Sequence, residues 1–302
     1  MRASICICTH DRSADARECL EALLPQVAGP TGAAVEVILV DSASSGGHAT
    51  ALAALAEASP GLTFLRLSEP GLSRARNAAI RVARGDWVAF LDDDAVPFPD
   101  YVAALLAVTG RVPEDVAVLG GRLVGRFPDG RTPGHIGPRW SMFLSLIDRD
   151  ADGPCTEGMS LFGANLAYRR AALPPDRPFR EDLGRTGTSL LSGEELELHH
   201  RLAAAGHGSW YCGSMGAFHK VSAERLTRDW VRRRAYWGGV TEVAMERIKG
   251  NGRPRHLNPV KLAASLPVLL AGSLLADPGA DRFIRLWYAL GALRAGRHLA
   301  AG

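Results

Sequence analysis

Two kinds of segment alternate regularly over the first 120 residues of the chain. Apolar runs rich in β-branched residues occur at Ala3–Cys8, Val35–Val40, Leu62–Leu67 and Trp87–Leu91. Segments with helical periodicity lie between them, at about Ala14–Val27, Ala49–Ala58 and Leu72–Arg84. Strands that alternate with helices form parallel sheets with helices on both faces. We therefore predict an α/β fold built on a Rossmann-like, mostly parallel sheet.

The second half of the chain is less regular. Residues Met159–Arg170 have the pattern of a strand, and Ser192–Gly206 that of a helix with glutamates in its first turn. The stretch "WYCGSMGAFHK" predicts a short strand followed by a loop. Long helices are expected at about Ala223–Lys249, Pro259–Ala276 and Asp281–Leu299.

These patterns predict two domains, with a boundary near Gly252–His256. Residues 1–250 form the mixed body, which divides into a regular half at 1–120 and a less regular half at 121–250. Residues 251–302 form a C-terminal helical extension.

The composition favours a globular protein of the cytoplasm. Of 302 residues, 47% are hydrophobic and 22% charged, and a net charge of +3 is too small to indicate a nucleic-acid partner. Five cysteines without a C-x-x-C pair indicate a reducing compartment. We expect a cytoplasmic protein, with the inner face of the membrane as the alternative location.

The C-terminal extension contains the most apolar stretch of the chain, Leu262–Ala276. It is shorter than the roughly 20 residues that a membrane span needs, and Pro267 interrupts it. It therefore predicts a buried helix or a helix on a membrane surface. Three roles stay open for these helices: peripheral membrane contact, a homodimer interface, or a cover for the core.

Polar and mainly acidic residues follow three of the predicted strands, at Thr9–Arg12, Asp41–Ser44 and Asp92–Asp94. Ligands of open α/β sheets bind beyond the carboxyl ends of the strands. Three adjacent carboxylates repel one another unless a cation lies among them, and Mg²⁺ and Mn²⁺ prefer carboxylate oxygens. We predict a divalent-cation site at Asp92–Asp94, with substrate phosphates at the remaining positions of the ion.

One enzyme class with such a strand end is the haloacid-dehalogenase-type phosphatase. Its motif D-x-D-x-[T/V] is matched from Asp92 to Val96, and Asp92 would be the nucleophile. That motif usually ends the first strand of the core and needs a downstream lysine, whereas three strands precede it here. This phosphatase is one alternative, and a non-catalytic nucleotide-binding protein is the other.

The order and spacing of five motifs resemble family 2 glycosyltransferases with a GT-A fold. The motifs are "ICTHDR", "VEVILVDSAS", "EPGLSRARNAAIRVARGDWVAFLDDDAVP", "FGANLAYRR" and "SGEELELHHRL". The resemblance covers about residues 3–220 and implies metal-dependent, inverting transfer of a sugar from a nucleoside-diphosphate sugar to a hydroxyl acceptor. A UDP-sugar is favoured, with thymidine and guanosine forms open. The acceptor could be a saccharide, a lipid-linked molecule or a natural product.

The resemblance implies a set of donor-binding residues. Thr9, Asp11 and Asp41 would hold the base and ribose, because carboxylates accept strong hydrogen bonds from N–H and hydroxyl groups. The helix that opens at Gly71 would face the diphosphate. The predicted donor-binding residues are Thr9, Asp11, Arg12, Asp41, Ser42, Arg74, Arg76, Asn77, Asp92 and Asp93.

The resemblance also implies metal-binding, catalytic and acceptor residues. Asp94 would bind Mn²⁺ or Mg²⁺ directly, Asp92 directly or through ribose or water, and His219 would complete the shell. Glu194 and Glu195 occupy the place of an acidic pair whose second member is the general base. That member is often Asp, so the extra methylene leaves open which of the two acts, with Glu195 favoured. The predicted acceptor pocket consists of Gly163, Ala164, Asn165 and Trp237. The resemblance thus makes residues 1–120 the nucleotide-sugar-binding half and residues 121–250 the half with the acceptor site and the catalytic base.

Overall fold

The computed structural model describes residues 1–29, 33–133, 137–156, 159–185, 189–250, 255–274 and 281–299. The strands are β1 (Ala3–Thr9), β2 (Val35–Asp41), β3 (Leu62–Arg66), β4 (Trp87–Asp92), β5 (Ala95–Pro97), β6 (Val116–Arg126), β7 (Asp152–Pro154), β8 (Asn165–Arg169) and β9 (Gly208–Lys220). The helices are α1 (Ser13–Val27), α2 (Gly46–Glu57), α3 (Leu72–Val82), α4 (Tyr101–Thr109), α5 (Pro138–Phe143), α6 (Glu194–Ala204), α7 (Arg228–Ile248), α8 (Pro259–Leu274) and α9 (Asp281–Arg294).

A single mixed sheet runs through the first part of the chain. Its order is β3-β2-β1-β4-β8-β6-β9-β5, and β7 pairs with β9. The four strands β1 to β4 are parallel where they pair, as the alternating sequence pattern predicts. Beyond β4 the sheet is mixed, because β8 runs antiparallel to both β4 and β6 while β9 is parallel to β6. The predicted α/β architecture is confirmed.

Helices cover both faces of this sheet, and the alternation of side chains along each strand explains how. In β1, Ile5 and Ile7 face a core shared with α1, α2 and α4, while Cys6 faces a second core shared with α3 and α6. Successive side chains of a strand point to opposite faces, so a continuous apolar strand supplies both cores. The carboxyl ends of the parallel strands stay clear of these cores and carry the polar residues.

The predicted loop after "WYC" is wrong, because β9 continues as one strand of 13 residues. Gly213 and Gly216 are typical of a loop, but in the structure they lie where other segments of the same chain leave no room for a side chain. A Cβ on Gly213 would come within 2.7 Å of Ala151 N, and one on Gly216 within 2.3 Å of the Phe98 ring. The ladder with β6 shifts register between Cys212 and Gly216, so β9 carries an irregularity there rather than ending.

Other predicted elements are shorter in the structure. The strand expected at Met159–Arg170 is confined to Asn165–Arg169, and the preceding residues form a turn. The helix expected at Ala223–Lys249 begins at Arg228, after a short 3₁₀ turn. The end of the helix predicted to Ala276 and most of the boundary near Gly252 lie outside the described residues.

The chain divides into two compact units. The first comprises residues 1–126, 145–182 and 194–220, and contains the sheet with α1–α4 and α6. The second comprises residues 127–144, 183–193 and 221–302, and contains α5 and α7–α9. In this division α7 belongs with the later helices, whereas the sequence pattern places the boundary after it. The division at residue 250 stays a prediction. No helix among the described residues has both the length and the apolar content to cross a bilayer.

Candidate active site

Three potential metal ligands meet where β4 ends. β4 carries Asp92 at its last position, and the antiparallel pairing of β5 with β9 sets Ala95 opposite His219. As a result, a carboxylate oxygen of Asp92, one of Asp94 and a ring nitrogen of His219 all lie within 4.8 Å of one another. Asp94 and His219 are buried, while Asp92 is half-buried and faces the open side.

This donor set fits a divalent cation. His219 Nε2 and Asp94 Oδ1 are 3.2 Å apart. Two neighbouring ligands held at about 2.1 Å from an octahedral ion lie about 3 Å from each other, so these two atoms have a suitable separation. Two carboxylate oxygens and one imidazole nitrogen suit Mn²⁺, whereas Mg²⁺ prefers oxygen alone.

Arg12 forms ion pairs with Asp93 and with the Asp94 oxygen that does not face His219. Its Nη1 lies 2.9 Å from Asp93 Oδ1, and its Nη2 donates to Asp94 Oδ2 at 2.9 Å. Thr9 donates its hydroxyl to Asp93 Oδ2 at 2.8 Å. Burial raises the pKa of Asp93 to about 7, against the opposing effect of the Arg12 charge. Arg12 thus neutralises part of the repulsion within the aspartate run and fixes Asp93 and Asp94 in place.

Arg76 links the metal carboxylates to the glutamate pair. It is 3% exposed, and its Nη1 donates to Glu194 Oε1 at 2.9 Å. Its Nη2 lies 3.4 Å from Asp92 Oδ1 and donates to the Gly163 carbonyl at 3.2 Å. The guanidinium also stacks on an aromatic floor made by Phe90 and Phe179, 5.8 and 5.4 Å from the ring centroids.

Glu194 and Glu195 open α6 and differ in their surroundings. Glu194 is buried, whereas Glu195 is half-buried. Burial and the neighbouring Glu195 charge raise the pKa of Glu194 to about 7, although Arg76 opposes the shift. Burial also acts on Glu195, but the Arg76 charge and a backbone hydrogen bond oppose it, and the pKa of Glu195 is lowered.

The two glutamates influence each other's ionisation. Oε2 of each is buried and has no hydrogen-bond partner among the described residues. Two neighbouring buried carboxylates repel each other when both are ionised. The pKa directions therefore favour the protonated form for Glu194 and the ionised form for Glu195.

His199 is connected through Tyr168 to the aromatic side chains beneath Arg76. Its Nε2 is hydrogen-bonded to the Tyr168 hydroxyl at 2.9 Å, and Tyr168 packs edge-on against Phe90 and Phe179. Burial lowers the pKa of His199 to about 4, so the ring is neutral near pH 7. A neutral imidazole leaves Arg76 as the positive charge that faces Glu195.

The predicted base- and ribose-binding residues form a second group at the ends of β1 and β2. Asp11 has a φ of 53° and accepts the Ser45 backbone N–H at 2.7 Å. Asp41 is fully buried; its Oδ1 accepts the Ser44 N–H at 2.8 Å, while its Oδ2 forms an ion pair with Arg66 Nη1 at 3.5 Å and no hydrogen bond among the described residues. Ser42 is hydrogen-bonded through its hydroxyl to Gly71, which joins β2 to the start of α3.

The structure places two predicted diphosphate residues in other contacts. Arg74 is at the surface and forms ion pairs with Glu69 and Glu181. Asn77 is buried; it donates to the Phe179 carbonyl at 2.8 Å and accepts the Phe179 N–H at 2.9 Å. Asn77 therefore positions the aromatic floor under Arg76. Contact of Arg74, Arg76 or Asn77 with a diphosphate stays a prediction.

Three of the four predicted acceptor residues belong to the first unit. Gly163 lies beside Arg76, and a Cβ on Gly163 would come within 2.5 Å of Arg76 Nη2. Trp237 belongs to the second unit, where it packs against His298 and Tyr236. The acceptor role of these residues stays a prediction.

Asn165 is committed to the sheet. Its Oδ1 accepts from the Tyr101 hydroxyl at 3.1 Å, and its Nδ2 donates to the carbonyls of Met215 and Arg122 at 2.8 and 3.2 Å. These bonds join β8 to α4, β6 and the irregular part of β9. The contacts give Asn165 a structural task next to the site.

Replacing Asn165 by Ala should lower the free energy of unfolding by about 2–4 kcal/mol, because three buried polar groups lose their partner. Urea unfolding measures the change. Thr50→Ala, on the exposed face of α2, is the control and should shift stability by less than about 0.5 kcal/mol. An Asn165→Ala protein as stable as wild type would contradict the structural task.

The sequence did not predict the contacts that three side chains of this site make in the structure. Arg12 was expected at the donor but clamps Asp93 and Asp94, and Arg76 was expected at the diphosphate but joins Glu194 to Asp92. Lys220, next to His219, forms ion pairs with Asp15 and Glu18 and was not predicted at all. Its position directly after His219 was the one available signal.

The model of Glycosyl transferase family 2 matches residues 4–174, which is more than half of the chain. The chain belongs to this family, and it is a glycosyltransferase. The family assignment removes the phosphatase and the non-catalytic binding protein as alternatives.

Two curated relatives cover most of the chain. The glucosyl-dolichyl phosphate glucuronosyltransferase of Haloferax volcanii is 23% identical over 251 residues, which is 82% of this chain and 78% of the relative. The succinoglycan biosynthesis protein ExoM of Rhizobium meliloti is 26% identical over 287 residues, or 93% of this chain and 87% of the relative.

Solved structures share the fold. The mannosyltransferase PcManGT of Pyrobaculum calidifontis, in complex with GDP-Man and Mn²⁺, has a TM-score of 0.64 at 20% identity, covering 97% of this chain and 86% of that one. TarS of S. aureus, in complex with UDP, has a TM-score of 0.56 at 17% identity, covering 100% and 93%. At these identities the likeness establishes the GT-A fold.

Proposed function

We propose that this protein transfers a sugar from a nucleoside-diphosphate sugar to a hydroxyl acceptor, with inversion, in a single displacement that depends on a divalent cation. The observation that carries the proposal is the pair of facing acidic groups that Arg76 joins. The ligand set of Asp92, Asp94 and His219 is on one side, and Glu194 with Glu195 is on the other. Family 2 membership and a Mn²⁺-bound structural neighbour support the same reaction class.

Asp94 and His219 would hold the cation directly, with Asp92 completing the protein ligands. A bound divalent cation would neutralise the charge that develops on the departing diphosphate. The mixed oxygen and nitrogen donors favour Mn²⁺, with Mg²⁺ as the other candidate. Arg12 keeps Asp94 oriented while leaving its Oδ1 directed at His219.

The donor nucleotide would lie along the ends of β1 and β2. Asp41 Oδ2 is a buried acceptor whose one described partner is the Arg66 guanidinium at 3.5 Å, and an N–H or hydroxyl of the nucleotide would give it a hydrogen bond. Thr9, Asp11 and Ser42 would complete this part, and the start of α3 would face the diphosphate. A UDP-sugar is our first choice of donor; the neighbours named above bind GDP-Man or UDP.

Glu195 would act as the general base. It is more exposed than Glu194, and the pKa directions favour the ionised form for Glu195 and the protonated form for Glu194. The acceptor hydroxyl gives its proton to Glu195 while its oxygen attacks C1 of the sugar. The bond between C1 and the diphosphate oxygen breaks, and its electron pair stays on the diphosphate oxygen. Attack opposite the leaving group inverts C1, and general-base help of this kind typically contributes about 10²–10⁴-fold.

The acceptor is proposed to be a saccharide, a lipid-linked molecule or a natural product. The two curated relatives are named for a dolichyl phosphate-linked sugar and for succinoglycan biosynthesis, which supports the first two. A cytoplasmic location is proposed on the five free cysteines of the chain.

Turnover of a donor panel tests the proposal. UDP-, GDP- and dTDP-sugars are each incubated with the protein, with and without Mn²⁺, and released nucleoside diphosphate is measured. We expect release from one nucleotide class that requires the metal. Equal release with metal and with excess chelator would contradict metal dependence, and free phosphate as the first product would contradict glycosyl transfer.

A further inference from the structure

The outward face of α8 is apolar. Residues 259–274 contain a single charged side chain, Lys261. Val260 and Val268 lie on this face and each expose 75% of their surface, and Ala264, Pro267 and Ala271 on the same face are also exposed. A surface helix of a globular protein normally turns charged and polar residues to water. A contiguous exposed apolar patch instead marks an interaction site.

The inward face of α8 is also apolar and incompletely packed. Leu262, Leu266 and Leu269 lie on this side and are only half-buried. Between α8, α9 and α5 is a cavity of about 680 Å³, lined mainly by apolar side chains such as Leu269, Ile284 and Phe143. α8 packs along α9, yet none of its side chains from residue 259 to 271 is fully buried.

The net charge of residues 221–302 indicates which kind of partner covers the exposed face of α8. Residues 221–302 contain 14 Lys and Arg against six Asp and Glu, a net charge of +8, whereas residues 1–220 carry a net charge of −5. A second copy of the chain would bring another +8 segment to the same face, so electrostatics oppose that pairing. An anionic surface complements it.

We propose that α8 docks the second unit on a membrane surface that contains anionic phospholipids. A helix of 16 residues is about 24 Å long, shorter than the roughly 30 Å hydrocarbon core, so α8 lies along the interface. Val260 and Val268 enter the headgroup and acyl boundary, and the net positive charge of residues 221–302 attracts the lipid phosphates. The apolar helix supplies the anchor and the charge selects the lipid.

Vesicle co-sedimentation tests this inference, which stands independently of the sugar-transfer reaction. The full chain is mixed with vesicles of phosphatidylcholine alone or of equal parts phosphatidylcholine and phosphatidylglycerol, at low and high salt. We expect binding to the anionic vesicles, weakened by salt, and little binding to neutral ones. The double variant Val260→Glu/Val268→Glu should bind the anionic vesicles at least about tenfold more weakly, because it places charges at the acyl boundary.

Val82→Glu is the matched control. Val82 is exposed by 39%, lies in α3 of the first unit, and receives the same chemical change. It should bind vesicles as wild type does. A milder pair, Val260→Ser/Val268→Ser, with circular dichroism of each protein, separates lost docking from lost folding.

Three results would overturn the proposal. The wild-type protein could stay in the supernatant with anionic vesicles at low salt. The folded double variant could sediment as wild type does. Light scattering could show a wild-type dimer without lipid that the double variant converts to a monomer, which would make a second copy the occupant of this face.

Discussion

Glu195→Gln should lower kcat by about 10²–10⁴-fold while nucleotide binding is retained, because the amide cannot take the acceptor proton. The substitution keeps the size of the side chain and its place at the start of α6. Steady-state kinetics with the donor and acceptor found in the panel measure the loss. Titration of the nucleoside diphosphate into the variant shows that the donor site is intact.

Glu194→Gln is the matched control and should lose less than about tenfold. A glutamine at position 194 resembles the protonated acid: its N–H can donate to Glu195, and its carbonyl oxygen can accept from Arg76. If Glu194→Gln abolished turnover while Glu195→Gln kept it, the roles assigned to the two glutamates would be reversed.

Asp94→Asn should weaken Mn²⁺ binding by at least about 100-fold and lower turnover by a similar factor or more, because it removes a buried anionic ligand. The Asn keeps the shape of the side chain but lacks the charge that faces His219. Titration of Mn²⁺ followed by electron paramagnetic resonance measures the affinity separately from activity.

Asp93→Asn is the control for this prediction. Asp93 contacts the same Arg12 but is not among the three residues whose ligand atoms converge. Its substitution should leave Mn²⁺ affinity within about tenfold of wild type. Loss of Mn²⁺ binding with Asp93→Asn, together with retained binding with Asp94→Asn, would show that Asp93 and not Asp94 is the metal ligand.

The first half of the fold was predictable because its signals are local. Continuous apolar strands and the helices between them gave β1–β4 and α1–α3 with bounds within a few residues. The long strand β9 was not predictable, because its glycines serve close contacts with Phe98 and Ala151 that come from distant parts of the chain. A glycine chosen for packing and a glycine chosen for a turn look alike in a sequence.

The acidic residues of the site could be predicted from the sequence, whereas the ion pairs that connect them could not. Asp92, Asp94, His219 and the glutamate pair were found through the spacing of motifs, and three of them converge as ligands. The bond from Arg76 to Glu194 spans 118 positions of sequence, so only the topology of the sheet brings these side chains together. The same holds for Arg12 and Asp94, 82 positions apart.

We expect the acids at the ends of β1, β2 and β4 to hold a metal and, through it, a nucleoside diphosphate. Calorimetric titration of UDP, GDP and dTDP into the protein, each with and without Mn²⁺, tests it most directly. We expect one nucleotide to bind tightly and only when Mn²⁺ is present. Binding of none of them with Mn²⁺, or equal binding without it, would contradict this account of the site.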